Sequence, residues 1–302
     1  MAKDSNTARH ARRVRIGAMN QSGSTLKIAM IGAGNMARAL IGGLIARGHP
    51  AAQLVAADPD PATRAAAARE YGITTVEAND RAVFGADVVV LAVKPQVIDA
   101  VGRSIAPALA EDCVIVSVAA GTPVARLRAT LGAERAVVRV MPNTPALHGA
   151  GATGLFAAPG CSQSQRDAAR MLFEAVGEVF EIEDESLMDV VTAVSGSGPA
   201  YFFALAEALA DAGQGAGLDR ATADGLAART AAGAGTMLAS GETAAELRRR
   251  VTSPGGTTAA ALDMLKQREF AGIVRAAVDA AVQRGRELGG TPAPNNDAGG
   301  DS

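Results

Sequence analysis

The chain contains no tryptophan, two tyrosines and seven phenylalanines among 302 residues. A core built from it must therefore rely on alanine, valine, leucine and isoleucine rather than on large rings. Its two cysteines, Cys113 and Cys161, are too few for a disulfide framework and lie in no Cys-x-x-Cys or metal-ligand spacing, which fits a reducing, cytoplasmic setting. The three histidines, His10, His49 and His148, stand apart from one another with no accompanying acidic cluster, so no metal is expected. No apolar run approaches the roughly 18 residues of a membrane-spanning helix. A net charge of −2 gives no reason to expect nucleic acid or a membrane surface as a partner.

What is present is an ordinary globular balance, 48% hydrophobic and 20% charged, in a chain long enough for two cores. Residues 1–25 carry Arg9, His10, Arg12, Arg13 and Arg15 among small polar residues and lack the apolar segment of a secretory signal. They read as a disordered leader, and residues 289–302, rich in Gly, Pro, Asn and Asp, as a disordered tail.

Between these ends the chain is organised around Leu26–Ala39. A mostly apolar run predicts a buried parallel strand, and Gly32, Gly34 and Ala37 follow in the spacing of a dinucleotide fingerprint, enclosing Asn35 and Met36. Gly32 permits the tight turn, Gly34 lets backbone approach a pyrophosphate, and Ala37 keeps the first helix close to its strand, leaving N–H groups free at the helix start. The helix should stop at Gly48-His49-Pro50. The next strand, Leu54–Ala57, ends in Asp58, about twenty residues past the glycines, where an acid commonly hydrogen-bonds the adenosine ribose. Asp58-Pro59-Asp60-Pro61 also opens a helix, so Asp58 reads equally as its N-cap.

The alternation continues through a strand near Ile73, a helix at Asn79–Phe84, the strand Val88–Val93, a helix from Gln96 to Ala108, the strand Val114–Val118, a helix at Val124–Leu131 and the strand Val137–Val140. Strands alternating with helices predict βαβ units and an α/β Rossmann domain, with ligand beyond the carboxyl ends of the strands. Ala92–Pro95, Ala119–Thr122 and Met141–Pro145 occupy that position and should rim the cofactor. A further strand after Gly149, a helix from Ser164 to Ala175 and a strand at Glu178–Ile182 lead to the acidic group Glu181, Glu183, Asp184 and Glu185. Helical periodicity then takes over, which sets a Rossmann domain at 26–184 and an α-helical domain at 185–288. In the latter, Ala200–Ala212 and Ala221–Ala239 are apolar nearly all round and call for burial, hence an intertwined dimer. The last helix carries Phe270, Ile273, Val274, Ala277, Val278, Ala281 and Val282 on one face and should pack with Arg275 and Asp279 outward.

Two small-residue loops precede helices in this half, Ser195–Tyr201 and Thr252–Thr258. Each serves as an ordinary N-cap or as a seat for a small anion such as a carboxylate. With the fingerprint they form an ordered set: Gly-Ala-Gly-Asn-Met-Ala at 32–37, Val-Lys-Pro at 93–95, Met-Pro-Asn-Thr-Pro at 141–145, Ser-Gly-Ser-Gly-Pro-Ala-Tyr at 195–201 and Ser-Pro-Gly-Gly-Thr-Thr at 253–258. On these residues the chain, from about Lys27 to Leu288, resembles pyrroline-5-carboxylate reductase.

The resemblance implies a Rossmann domain joined to an α-helical dimerisation domain, a homodimer that in family members often builds a decamer, and an active site between cofactor and the partner subunit's helices. It implies NADPH, or NADH, as hydride donor to a cyclic imine bearing a carboxylate, giving L-proline. Cofactor contacts fall to Gly32, Gly34, Asn35, Met36, Ala37, Asp58, Ala92, Val93, Lys94, Pro95, Asn143 and Thr144. The N–H groups of Gly255, Gly256 and Thr257 would hold the carboxylate, Thr258 would hydrogen-bond the imine nitrogen, and Ser253 and Ser197 would orient the substrate. Asp58 would repel the 2′-phosphate of NADPH, whereas Arg64 could reach it.

A β-hydroxyacid-type dehydrogenase shares this organisation but takes the alcohol proton with a lysine on the first helix of its second half, and Val190–Tyr201 holds none. A non-catalytic nucleotide-sensing protein on the same scaffold would have no use for the intact loop at Ser253–Thr258.

Overall fold

The computed structural model describes residues 25–290. The expected leader and tail, apart from Thr25, Gly289 and Gly290, lie outside the described residues. The described residues divide into two compact units, one comprising 25–196 and 285–290, the other Ser197–Arg284.

The first unit is a doubly wound α/β fold. Its strands are β1 (Ile28–Ile31), β2 (Leu54–Ala57), β3 (Thr74–Val76), β4 (Val88–Leu91), β5 (Val114–Ser117), β6 (Ala136–Met141), β7 (Gly151–Ala157) and β8 (Gly177–Glu181). They form one sheet in the order β3-β2-β1-β4-β5-β6-β7-β8, parallel except where β7 runs against β6. Helices α1 (Asn35–Ala46), α2 (Pro61–Tyr71), α3 (Asn79–Val83), α4 (Ile98–Ile105), α5 (Val124–Leu131), α6 (Gln163–Glu174) and α7 (Met188–Val191) complete it.

Strand alternation sorts the core into two layers. Ile28, Met30, Val88 and Val90 face Leu40, Ile41 and Leu44 of α1 and Leu172 and Phe173 of α6. Ala29, Ile31, Val89 and Leu91 face Ile98 and Ile105 of α4 and Leu127 and Leu131 of α5. Burial on both faces explains why these strands are continuous apolar runs rather than half-polar ones.

Boundaries move where proline and capping chemistry intervene. The helix expected over Gln96–Ala108 is regular only over α4, because Pro95 and Pro107 confine its flanks to single 3₁₀ turns. α6 starts at Gln163 because Ser162 and Gln165 form a reciprocal capping box. α1 ends where Gly48 takes φ +94 and His49 N–H returns to the Leu44 carbonyl at 3.0 Å.

The second unit contains α8 (Gly198–Gly215), α9 (Arg220–Leu238), α10 (Ala244–Arg250), α11 (Thr257–Gln267) and most of α12 (Phe270–Gly289), whose end belongs to the first unit. α8 and α9 meet through a small buried cluster of Ala210, Ala223 and Ala227. The burial expected for the alanine-rich helices is not reached within one chain: Phe202, Phe203 and Leu226 are 61, 66 and 56% exposed. The stripe on α12 is likewise uncovered, with Ile273 61% exposed. No helix among the described residues is long and apolar enough to cross a membrane.

Candidate functional site

The strand order reverses between β1 and β4, and the turn from β1 into α1 emerges there. The Gly32 N–H donates to the Ala57 carbonyl at 2.8 Å, and the Ala92 N–H to the Ile31 carbonyl at 2.8 Å. Gly32 has φ +95, and a Cβ on it would lie 2.6 Å from the Ala92 carbonyl oxygen, so only glycine fits. Gly34 is the N-cap of α1 in extended conformation, with no side chain capping the helix. A Cβ there would meet no atom of the chain within 4 Å. An uncapped helix start over open space suits a pyrophosphate. Asn35 is exposed and Met36 half-buried in the first turn, and Ala37 is fully buried against the sheet.

Asp58 sits at the carboxyl end of β2, half-buried, and does not cap α2. Its Oδ2 accepts from the Ala33 N–H at 2.9 Å and its Oδ1 from the Asp60 N–H at 3.0 Å, which ties the fingerprint turn to β2. The cap is Asp60, accepting from the Ala62 and Thr63 N–H groups and, at 2.6 Å, from the Thr63 hydroxyl. These bonds, the Thr63 hydroxyl foremost, hold the Asp60 carboxyl below its ordinary pKa. Each aspartate is followed by a proline suited to the first helical position, and the backbone selects Asp60 by starting α2 at Pro61. The Arg64 guanidinium donates to the Asp58 and Pro59 carbonyls at 2.6 and 2.9 Å and lies 3.7 Å from Glu77.

The other strand-end loops share this edge. Ala92 and Val93 are half-buried after β4, and Lys94 is exposed, leading into the turn at Pro95–Val97. At the end of β5, the wholly buried Ser117 accepts the Ala119 N–H at 3.3 Å. After β6, Asn143 leads into a 3₁₀ turn beginning at the exposed Thr144. The Asn143 side chain is committed within the chain: its carbonyl accepts the Ala152 N–H at 2.9 Å and its amide donates to the Ser195 carbonyl at 3.2 Å. Ser195 lies in a π-helical turn, Thr192–Gly196, with Gly196 packed closely on Met141. Such turns recur at functional sites.

Sequence reasoning missed a buried ion network behind these loops. Arg139 on β6 is 6% exposed and reaches Glu185 Oε1 at 3.1 Å and Asp189 Oδ1 at 3.6 Å. A lone arginine inside an apolar strand was the available signal, because a buried charge requires a partner.

In the second unit, the loop before α11 forms a preshaped helix start. Gly255 has φ +69, the Gly256 N–H donates to the Ser253 carbonyl at 3.0 Å, and Gly256 becomes the N-cap with no side chain covering the helix N-terminus. Ser253 and Thr257 are exposed and Thr258 half-buried. Thr252, just before, donates its hydroxyl to the Arg248 carbonyl at 2.6 Å. Ser197 is the N-cap of α8, again without a side-chain cap. The residues expected on the cofactor side therefore lie in segments that follow the carboxyl ends of strands in the first unit, and Ser197, Ser253 and Gly255–Thr258 sit at two helix starts of the second. Among the described residues no cluster of three or more histidine, cysteine or acidic side chains could hold a metal ion.

Residues 185–288 match a family model described as pyrroline-5-carboxylate reductase dimerisation, and residues 27–121 one described as NADP oxidoreductase, coenzyme F420-dependent. The chain is 54% identical over 266 residues to a pyrroline-5-carboxylate reductase of Pseudomonas aeruginosa, covering 88% of this chain and 97% of that one. Among solved structures, a pyrroline-5-carboxylate reductase from Coxiella burnetii superposes with a TM-score of 0.85 at 36% identity, over 89% of this chain and 100% of that one. A Plasmodium falciparum pyrroline carboxylate reductase with NADP bound gives a TM-score of 0.75 at 30% identity, over 87% and 98%.

Proposed function

The chain belongs to the pyrroline-5-carboxylate reductase family, and from that premise we propose how its residues divide the work. The activity is NAD(P)H-dependent reduction of the C=N bond of 1-pyrroline-5-carboxylate to L-proline, which is the last step of proline biosynthesis. When bound, the nicotinamide supplies the hydride. A protonated imine is already strongly electrophilic, so the protein's contribution is positioning and electrostatics rather than a dedicated general acid.

On the cofactor side, Gly32, Gly34, Asn35, Met36 and Ala37 seat the pyrophosphate on the start of α1. Asp58 takes the adenosine ribose, Ala92, Val93, Lys94 and Pro95 flank the adenosine and pyrophosphate, and Asn143 and Thr144 border the nicotinamide. On the substrate side, the N–H groups of Gly255, Gly256 and Thr257 hold the carboxylate, the Thr258 hydroxyl hydrogen-bonds the imine nitrogen, and Ser253 and Ser197 orient the ring. The observation that carries this division is the uncapped start of α11, shaped by a left-handed Gly255, in the same chain as the dinucleotide turn.

NADPH stands first as the donor, supported by the NADP-type model over 27–121 and the NADP bound to the Plasmodium relative. NADH is the alternative, favoured by the Asp58 carboxylate. The protein oligomerises through its dimerisation domain. We assign a homodimer built on 185–288, with assembly into a decamer, and a cofactor domain at 26–184. The exposed Phe202, Phe203 and Leu226 support a partner copy over α8 and α9. A cytoplasmic location is supported by two buried, unpaired thiols, with burial pushing that of Cys113 up to about 12.

Thr258→Ala tests the division. Turnover should fall by roughly 10²-fold or more, the scale of a lost transition-state contact, while the dissociation constant for NADPH stays within about twofold. Unchanged turnover would remove Thr258 from this role.

A further inference from the structure

We propose that the C-terminal end of α12 is a positioning element for the turn between β5 and α5, and through that turn for the cofactor. The inference rests on the reading of the sheet edge as a dinucleotide site. Residues 285–290 belong to the first unit, so every contact below lies within it.

Gly121, in that turn, has φ +66. A Cβ on it would lie 3.2 Å from the Gly289 nitrogen and 3.4 Å from the Gly285 carbonyl oxygen. Conversely, a Cβ on Gly289 would lie 2.7 Å from the Gly121 carbonyl oxygen. Gly285 and Gly289 are one helical turn apart on one face of α12. The backbone of the helix thus rests on the backbone of the turn with no side chain between them.

The far end of the same turn is held by an independent contact. The Val124 N–H, the first of α5, donates to Glu185 Oε1 at 2.7 Å, and that oxygen also receives Arg139 Nη1 at 3.1 Å. Arg139 Nη2 lies 3.6 Å from Asp189 Oδ1, which in turn would stand 3.3 Å from a Cβ on Gly285. The contacts close a circuit: turn, Glu185, Arg139, Asp189, end of α12 and back to the turn. Thr122 is wholly buried, and its hydroxyl has no hydrogen-bond partner among the described residues, so the turn's own side chain does not provide the hold. Because Ala119–Thr122 follows β5 on the edge shared with the fingerprint, a shift of this turn moves a wall of the cofactor site.

The test uses Gly289→Ala and Gly285→Ala in the full chain, titrated with NADPH and with NADH by fluorescence in the absence of substrate, alongside light scattering and steady-state kinetics. Gly289→Ala, whose Cβ meets backbone, should weaken cofactor binding about fivefold or more, and Gly285→Ala, whose Cβ meets the Asp189 side chain, about twofold. The cofactor KM should rise by the same factor, with the pyrroline-5-carboxylate KM and the oligomeric state unchanged. Should Gly289→Ala not fold, Gly285→Ala and Asp189→Asn carry the test, each expected to weaken binding about twofold. Parent-like binding in the folded variants, or both KM values rising together, would overturn the inference. A parent protein that binds neither nucleotide would overturn the underlying reading as well.

Discussion

The Asn143 amide donates to the Ser195 carbonyl at 3.2 Å, joining the loop after β6 to the π-helical turn Thr192–Gly196. The same side chain accepts the Ala152 N–H at 2.9 Å, so one residue holds three segments. Asn143→Asp keeps the acceptor and replaces the donor with an oxygen facing a carbonyl. It should lower unfolding free energy by about 1–3 kcal/mol and reduce turnover. A denaturant midpoint equal to that of the parent would show that the tie is dispensable.

The two fingerprint glycines should fail in different ways. Gly32→Ala forces a Cβ to 2.6 Å from the Ala92 carbonyl oxygen at φ +95, and should destabilise the fold by about 2–4 kcal/mol. Gly34→Ala meets nothing within 4 Å, and should cost no more than about 1 kcal/mol of stability while weakening NADPH at least about tenfold. Thermal unfolding paired with nucleotide titration separates them. Equal behaviour of the two variants would contradict the assignment of Gly34 to the pyrophosphate.

Asp58 should set the balance between the two nicotinamides. Asp58→Asn removes the charge near the 2′ position while keeping one acceptor for the Ala33 or Asp60 N–H. The ratio of kcat/KM for NADPH over NADH should rise about tenfold, the effect of roughly 1.4 kcal/mol less repulsion. A ratio that does not move would place the ribose elsewhere.

His49 should make stability fall in mild acid. It is 3% exposed, and burial holds its pKa below the ordinary 6.5, against a weaker opposing pull from the Leu26 backbone. Arg47 and Glu174 line the same small cavity. Because the folded value is lower, the unfolded chain binds the proton first: stability is full above the unfolded value and is lost as pH falls toward the folded one. The slope contributed by this group is at most about 1.4 kcal/mol per pH unit. His49→Leu should flatten the unfolding midpoint between pH about 7 and about 5, and a decline as steep as the parent's would exclude His49.

These residues also show what the sequence makes legible. β1 and the turn after it could be read directly, because an apolar run followed by Gly32, Gly34 and Ala37 encodes strand, turn and helix within a few positions. The choice of Asp60 over Asp58 as cap was open in the sequence and needed the backbone to settle it. The Asn143–Ser195 bond spans 52 residues and the Arg139–Glu185 pair 46, and no local pattern encodes contacts of that separation. The alanine-rich helices read in the sequence as needing cover, and contacts within one chain do not supply it, since Phe202, Phe203 and Leu226 stay exposed.

The most direct measurement is to add 1-pyrroline-5-carboxylate to the purified protein with NADPH, and separately with NADH, and follow the absorbance of the reduced nicotinamide together with L-proline formed. Substrate-dependent oxidation with proline appearing in equal amount is the predicted result. No oxidation with either nucleotide would contradict the account.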